Sequence, residues 1–359
     1  MAIEMSFVKN LWYVAAWDDE VKDTGFLTRT IINTPLALWR DSNRKVIAFD
    51  DRCCHRGARL SLGSREGDCV RCGYHGLKFA ASGQCVEIPS QERIPPKFKV
   101  RSYPVVERHR WIWVWMGDPE LADESLISDT HYLDDPEWAS IGGHIHYDVN
   151  YLLVCDNLLD LSHIPFLHPT TLGGSPDYAA VLPKVDRIER GVRLTKWVFN
   201  TQPPEYSKAY GAFENKLADR WMIYDFIAPG ILLMDSGMVP AGLGEMARAT
   251  GIRQSALEFR GRQALTPETE TSTHYFFAHP HNFMIDQPEV TQKITENIRI
   301  AFEEDREMIT TQQANLMLDS SFKMLPMAAD LALTQFRRVI KDLLDAEMKI
   351  NKVDANDDQ

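Results

Sequence analysis

Cys53-Cys54-His55-Arg56-Gly57 and Cys72-Gly73-Tyr74-His75-Gly76 are the two stretches whose reading decides the fold. Together they spell Cys-x-His, sixteen intervening residues, then Cys-x-x-His. Two cysteines and two histidines suit a tetrahedral zinc ion. They suit equally a two-iron cluster with both thiolates on one iron and both imidazoles on the other. Each pair stands in a turn closed by glycine, Gly57 or Gly76, so backbone N–H groups can approach a sulfur-rich cluster and favour its reduced state.

Outward from these turns the chain breaks into short strands. Apolar runs at Trp12-Tyr13-Val14-Ala15, Leu36-Ala37-Leu38-Trp39, Val46-Ile47-Ala48-Phe49 and Trp111-Ile112-Trp113-Val114-Trp115 are separated by turn signals. Two of those signals are Asp41-Ser42-Asn43-Arg44 and Ala81-Ser82-Gly83-Gln84. The pattern stops at Gly117-Asp118-Pro119, which predicts an all-β first domain over residues 1–117 and a second domain over 118–359. The second domain mixes strands with helices. Strands are expected at Ile231-Leu232-Leu233-Met234, after the Pro229-Gly230 turn signal, and at His274-Tyr275-Phe276-Phe277. Helices are expected over about 290–317 and 328–350, the latter with an apolar stripe of Phe336, Val339, Ile340, Leu343 and Leu344. The fold class is α+β.

Composition narrows the function. Lys and Arg number 39 against 51 Asp and Glu, a net charge of −12 that argues against a nucleic-acid or anionic-membrane partner. Six cysteines in 359 residues are too few for a disulfide scaffold, and four of them fall between Cys53 and Cys72. No secretory pattern opens the chain, and no run approaches the roughly 18 apolar residues of a membrane span. The expected compartment is the cytoplasm, where clustered Cys and His bind metal more often than they pair as disulfides. Cys54 and Cys69 are read as free thiols, and Cys85 and Cys155 as packing residues.

A second constellation lies at Asp156-Asn157-Leu158-Leu159-Asp160-Leu161-Ser162-His163-Ile164-Pro165-Phe166-Leu167-His168. On a regular helix two histidines five apart subtend about 140° and share no face. Pro165 is expected to break the ladder between them and let His168 turn back toward His163. Asp160, one turn before His163, is expected to reach its ring edge directly. A mononuclear facial-triad iron needs one more carboxylate. The helix from 290 offers Asp305, on an apolar stripe with Ile294, Ile298, Ala301, Phe302, Met308 and Ile309. A lone buried carboxylate is costly unless paired or metal-bound, and an arginine partner or a loop cap would serve Asp305 as well as iron. Glu303, Glu304 and Glu307 read as a solvated face.

The first motif resembles that of Rieske iron–sulfur proteins, with Cys53 and Cys72 on one iron and His55 and His75 on the other. Taken with the second constellation, the chain resembles the oxygenase component of Rieske non-haem iron oxygenases over essentially its whole length. The nearest likeness is to the vanillate O-demethylase group, with dicamba O-demethylase and toluenesulfonate methyl-monooxygenase nearby. Shared-looking segments include Arg56-Gly57-Ala58-Arg59-Leu60-Ser61-Leu62-Gly63, Leu265-Thr266-Pro267-Glu268-Thr269-Glu270 and Glu304-Asp305-Arg306-Glu307-Met308. The family usually has proline where this chain has Cys54.

The resemblance implies a Rieske domain followed by a helix-grip domain, in a ring-shaped homotrimer. It implies a [2Fe–2S] cluster and Fe(II) held by His163, His168 and Asp305, with NADH-derived electrons arriving through a separate ferredoxin-type flavin reductase. Asp160 would link His75 of one subunit to His163 of the next, and Asn157 would support the ligands. The implied reaction is O2-dependent O-demethylation of a methoxylated, vanillate-like aromatic acid, releasing formaldehyde. Methyl hydroxylation, N-demethylation and ring hydroxylation are rival outcomes, and a Rieske-type electron carrier or a structural zinc protein are rivals from other classes. Gln263 is expected either to face substrate or to be an ordinary sheet position, and His279 and His281 to be surface residues.

Overall fold

Trp12–Trp17 and Trp111–Trp115 are buried at every position, so neither strand has a solvent face to alternate with. They pair antiparallel, with a bulge between Val14 and Ala16, and Val105–Arg108 completes the sheet. The computed structural model describes residues 7–357 except 174–176, 205–206, 208–209, 211–215, 254 and 320. It divides into two compact units, one of Phe7–Ile127 with Thr266–Thr269, the other of Ser128–Leu265 and the chain from Glu270 onward.

The first unit adds two four-stranded antiparallel sheets. One runs Leu27–Ile31, Thr34–Arg40, Val46–Asp50, Ser102–Tyr103. Its middle hairpin turns at the expected Asp41-Ser42-Asn43-Arg44, where the Asp41 carboxylate accepts the N–H groups of Asn43 and Lys45. The other runs Ser64–Glu66, Cys69–Arg71, Lys78–Ala80, Cys85–Glu87. Trp39, Phe49, Leu60, Val70 and Phe79 form the core beneath it, and Cys53, Cys72 and Cys85 belong to that core.

The second unit is an antiparallel sheet packed by helices. Its order is Gly143–Tyr147, Ser272–Ala278, Arg262–Thr269, Ile231–Pro240, Ala218–Ile227, Gly191–Thr201, Lys184–Ile188, with Leu257–Phe259 also on Ile231–Pro240. Ala218–Ile227 and Ile231–Pro240 pair in register from Ala218↔Pro240 to Ile227↔Ile231 around the expected Pro229-Gly230 turn. Helix Pro288–Leu318 packs Phe302 against Tyr275 and Phe277, at ring separations of 4.7 and 5.0 Å. Helix Leu331–Asp357 sets Phe336 against Phe226 at 4.7 Å. The first of these helices begins two residues earlier than the apolar period suggests. Pro288 sits in its first turn, where the missing N–H is no loss. Among the described residues no helix is long and apolar enough to cross a membrane.

Candidate metal centres and adjoining cavity

The two cysteine–histidine turns are built alike. Cys53 N–H donates to Ala58 O and Gly57 N–H to Cys53 O; Cys72 N–H donates to Leu77 O and Gly76 N–H to Cys72 O, all within 3.0 Å. Both closing glycines take positive φ, +68° at Gly57 and +73° at Gly76, which side chains rarely adopt. Cys53 and Cys72 are buried, whereas His55 and His75 stand exposed with ring centroids 4.6 Å apart. Burial, together with the neighbouring Cys72, pushes the Cys53 thiol up to about 12. Such a thiol stays protonated unless a metal takes the thiolate. Two thiols and two imidazoles brought together on paired turns suit a two-iron cluster with both thiolates on one iron and both imidazoles on the other. Cys54 and Cys69 are free thiols, as read, and Cys85 and Cys155 are buried.

The second centre starts from helix Tyr151–Leu159, which Asn150 caps by accepting the Leu152 N–H. The helix stops at Asp160, in an extended conformation. The break therefore falls before His163, and Pro165 does not make it. Pro165 instead occupies the first turn of a new helical segment, Ile164–Leu167, where proline is favoured. A second correction concerns Asp160. Its carboxylate accepts the Ser162 N–H at 2.8 Å, and its backbone carbonyl faces Nδ1 of His163 at 2.5 Å. The side chain is held by the turn that follows, so the carbonyl orients the ring.

His163, His168 and Asp305 each offer a ligand atom, and the three lie within 4.8 Å of one another. Asp305 Oδ1 is 3.1 Å from His168 Nε2 and 3.5 Å from His163 Nε2. Both Nδ1 atoms are engaged elsewhere, His163 with the Asp160 carbonyl and His168 with Glu304 Oε2 at 2.7 Å. With Nδ1 donating, each Nε2 presents a lone pair toward Asp305. Burial lowers the His163 imidazole below its ordinary value despite the pull of Asp305. At His168 burial acts the same way, but Asp305 and Glu304 outweigh it and the group is raised. Asn157 Nδ2 donates to Asp305 Oδ1 at 2.8 Å, and Asn157 Oδ1 is buried with no partner among the described residues. Two imidazoles, a buried carboxylate and an orphaned amide oxygen fit a divalent cation of the facial-triad kind.

Glu304 is the residue that sequence reasoning missed. Glu303 and Glu307 behave as expected of a charged surface, Glu303 pairing with Arg306 and Glu307 standing exposed. Glu304 accepts a hydrogen bond from His168 Nδ1 and another from Thr171 Oγ1 at 2.8 Å. The available signal was chemical: a ligating histidine needs an acceptor at its other nitrogen.

His163 and Asp305 line one wall of a cavity of about 100 Å³, on the scale of the engineered ~150 Å³ cavity that takes benzene. Leu232, Met222, Met234, Phe259 and Phe302 make it mostly apolar. Arg220, Ser236, Gln263, His279 and Asn297 supply its polar points. Gln263 lines this cavity. Tyr275 O–H donates to its carbonyl, and its amide donates to His279 Nε2 at 3.4 Å. His279 and His281 are not surface residues. Both are buried, and desolvation lowers His279 to about 3. His281 sits between Phe283 O and Thr291 Oγ1.

Residues 11–104 match the Rieske [2Fe-2S] domain, and residues 147–346 match the Vanillate O-demethylase oxygenase C-terminal domain. The chain is 46% identical over 345 residues to the toluene-4-sulfonate monooxygenase system iron–sulfur subunit of Comamonas testosteroni, covering 95% of this chain and 98% of that one. It is 36% identical over 353 residues to the vanillate O-demethylase oxygenase subunit of a Pseudomonas species, covering 96% of each. The solved structure of dicamba monooxygenase bound to 3,6-dichlorosalicylic acid superposes with a TM-score of 0.87 at 33% identity, over 96% of this chain and 99% of that one.

An all-β domain with paired Cys/His turns and a helix-packed sheet with a His/His/Asp cluster together define an oxygenase component of the Rieske class. The chain belongs to the Rieske oxygenases of the vanillate O-demethylase family. Such components are oxidoreductases of the aromatic monooxygenase family. They carry a Rieske [2Fe–2S] cluster and non-haem iron, and a separate reductase supplies electrons from NADH.

Proposed function

We propose that this chain catalyses the oxidative O-demethylation of a methoxylated aromatic acid, with vanillate-like substrates as the type. The balance is one methyl ether, one O2, one NADH and one proton, giving a phenol, formaldehyde, water and NAD+. When bound, the cluster passes electrons singly and the iron supplies the reductive O2 chemistry that hydroxylates the ether methyl. Cys53, His55, Cys72 and His75 would hold the first, and His163, His168 and Asp305 the second.

The observation that carries this reading is the position of His163 and Asp305 on the wall of the apolar cavity. A single ring settled among Met222, Leu232 and Phe302 would present a substituent to those donors and be shielded from water. The substrates and ligands named for the relatives support the ring-plus-acid class: toluene-4-sulfonate, vanillate and 3,6-dichlorosalicylic acid. Asn157 would hold Asp305 in its ligating orientation through the Nδ2 hydrogen bond. Asp160 would fix the His163 ring with its carbonyl and use its carboxylate toward His75 of the partner subunit in a homotrimer. A cytoplasmic location and a ferredoxin-type flavin reductase as electron donor complete the proposal.

Formaldehyde release over a panel of methoxylated benzoates, with a flavin reductase and NADH supplied, tests it. The expected result is formaldehyde and phenol in equal amounts from at least one member. Under the same assay Asp160→Asn retains both metals and loses coupled turnover. Ring-hydroxylated product with the ether intact would overturn the demethylation reading.

A further inference from the structure

Arg220 stands on strand Ala218–Ile227, where Met222 and Tyr224 follow it at every second position along the same face and line the same cavity. An arginine at the head of that row is out of place, since the positions after it are apolar or aromatic. Lys196, on the neighbouring strand Gly191–Thr201, is equally misplaced. It interrupts the buried row of Val192, Leu194 and Val198. The register puts Lys196 opposite Met222 and Val198 opposite Arg220, so the two cations are diagonal neighbours. They flank one ring. Lys196 Nζ lies 3.9 Å and Arg220 Cζ 4.8 Å from the centroid of Tyr178.

Among the described residues neither cation has a counter-ion. Arg220 is 5% and Lys196 2% exposed, and neither takes part in an ion pair with a described carboxylate. Among the described residues, Arg220 Nη1 has only a long 3.4 Å contact to the Gly173 carbonyl. Asp160 acts on Lys196 from beyond ion-pairing distance, while burial and the charge of Arg220 hold the ammonium down to about 8. Buried charges in proteins are ordinarily paired, and two like charges side by side deepen the penalty. Among the described residues the arrangement lacks one anion, and Arg220 lines the cavity.

We infer that Arg220, backed by Lys196, binds the acid group of the substrate, so that the cavity selects aromatic carboxylates or sulfonates over neutral aromatics. This rests on the reading of the cavity as the substrate site. A guanidinium takes either oxyanion through paired N–H donors. The ring would then lie along the apolar strip that Met222 and Tyr224 continue.

Calorimetric titration of the metal-loaded protein tests this with 4-methoxybenzoate, 4-methylbenzenesulfonate and the neutral 4-methoxybenzamide. The wild type should bind at least one acid roughly tenfold or more tighter than the amide, as a charged hydrogen bond in a dry site allows. The tighter of the two acids identifies the headgroup. Arg220→Gln should abolish that preference while amide binding stays within about threefold, and Arg220→Lys should recover part of it. Lys196→Met is the second variant, expected to weaken acid binding by a smaller factor and leave the amide alone. A wild type without acid preference, or variants that lose acid and amide binding alike, would overturn the inference. Formaldehyde is not measured here, so absent demethylation with an intact acid preference defeats the proposed reaction alone.

Discussion

Glu304 donates no ligand atom, yet it fixes which nitrogen of His168 can be one. Its Oε2 accepts a hydrogen bond from Nδ1 at 2.7 Å and leaves Nε2 aimed at Asp305. Glu304→Gln keeps an acceptor but drops the charge, so mononuclear iron affinity should fall by about 10-fold or more, within the span such supporting partners typically contribute. Iron retained after dialysis against a chelator measures this, with the cluster absorbance as an internal control. Wild-type retention would mean that the charge of Glu304 is idle. Asp305 was legible in the sequence because a carboxylate on an apolar helix stripe is conspicuous. Glu304, one residue away, was not, because its partner lies 136 positions distant and nothing local announces it.

At the scale of elements, the cluster loops illustrate how turn chemistry shows through sequence. Gly57 and Gly76 close each pair, and both adopt the positive φ that such closure needs. Their surroundings differ. A Cβ at Gly57 would meet nothing within 4 Å, whereas one at Gly76 would lie 3.0 Å from Pro89 Cγ. Gly57→Ala should thus cost about 1–2 kcal/mol from backbone strain alone. Gly76→Ala should cost more, since Pro89 must also shift. Thermal bleaching of the cluster absorbance ranks them, with Gly76→Ala the lower; equal midpoints would contradict the steric account. The helix break near His163 was legible only in part. Proline signals a boundary without saying on which side it falls, and here the turn at Asp160 ends one helix while Pro165 opens the next.

For the whole molecule, the strands and late helices were legible from periodicity, but the cavity was not. Its lining joins sheet residues from Arg220 to His279 with helical residues such as Leu158 and Phe302, so the burial of His279 and the placement of Arg220 become visible only when sheet and helices pack together. Burial of His279 also bears on stability. Below its ordinary value of 6.5 the unfolded chain takes up a proton at this imidazole, while the folded protein resists down to about 3. Stability present above pH 6.5 is therefore lost as pH falls through that window, at roughly 1.4 kcal/mol per pH unit from this group. Urea unfolding at pH 7, 5 and 4 should show a shallower acid loss for His279→Gln than for the wild type; parallel curves would show that His279 is not the group responsible. The net charge of −12 argues against a nucleic-acid partner but is silent on substrate, on which the buried Arg220 and Lys196 bear.

The most direct test of the central claim is a single turnover. Chemically reduced, iron-loaded protein is mixed with O2 and the best methoxylated benzoate, with no reductase present. The account predicts formaldehyde and phenol in equal yield, up to about one per mononuclear iron, and none from Asp305→Ala with its cluster intact. Formaldehyde from Asp305→Ala at the wild-type yield would contradict it.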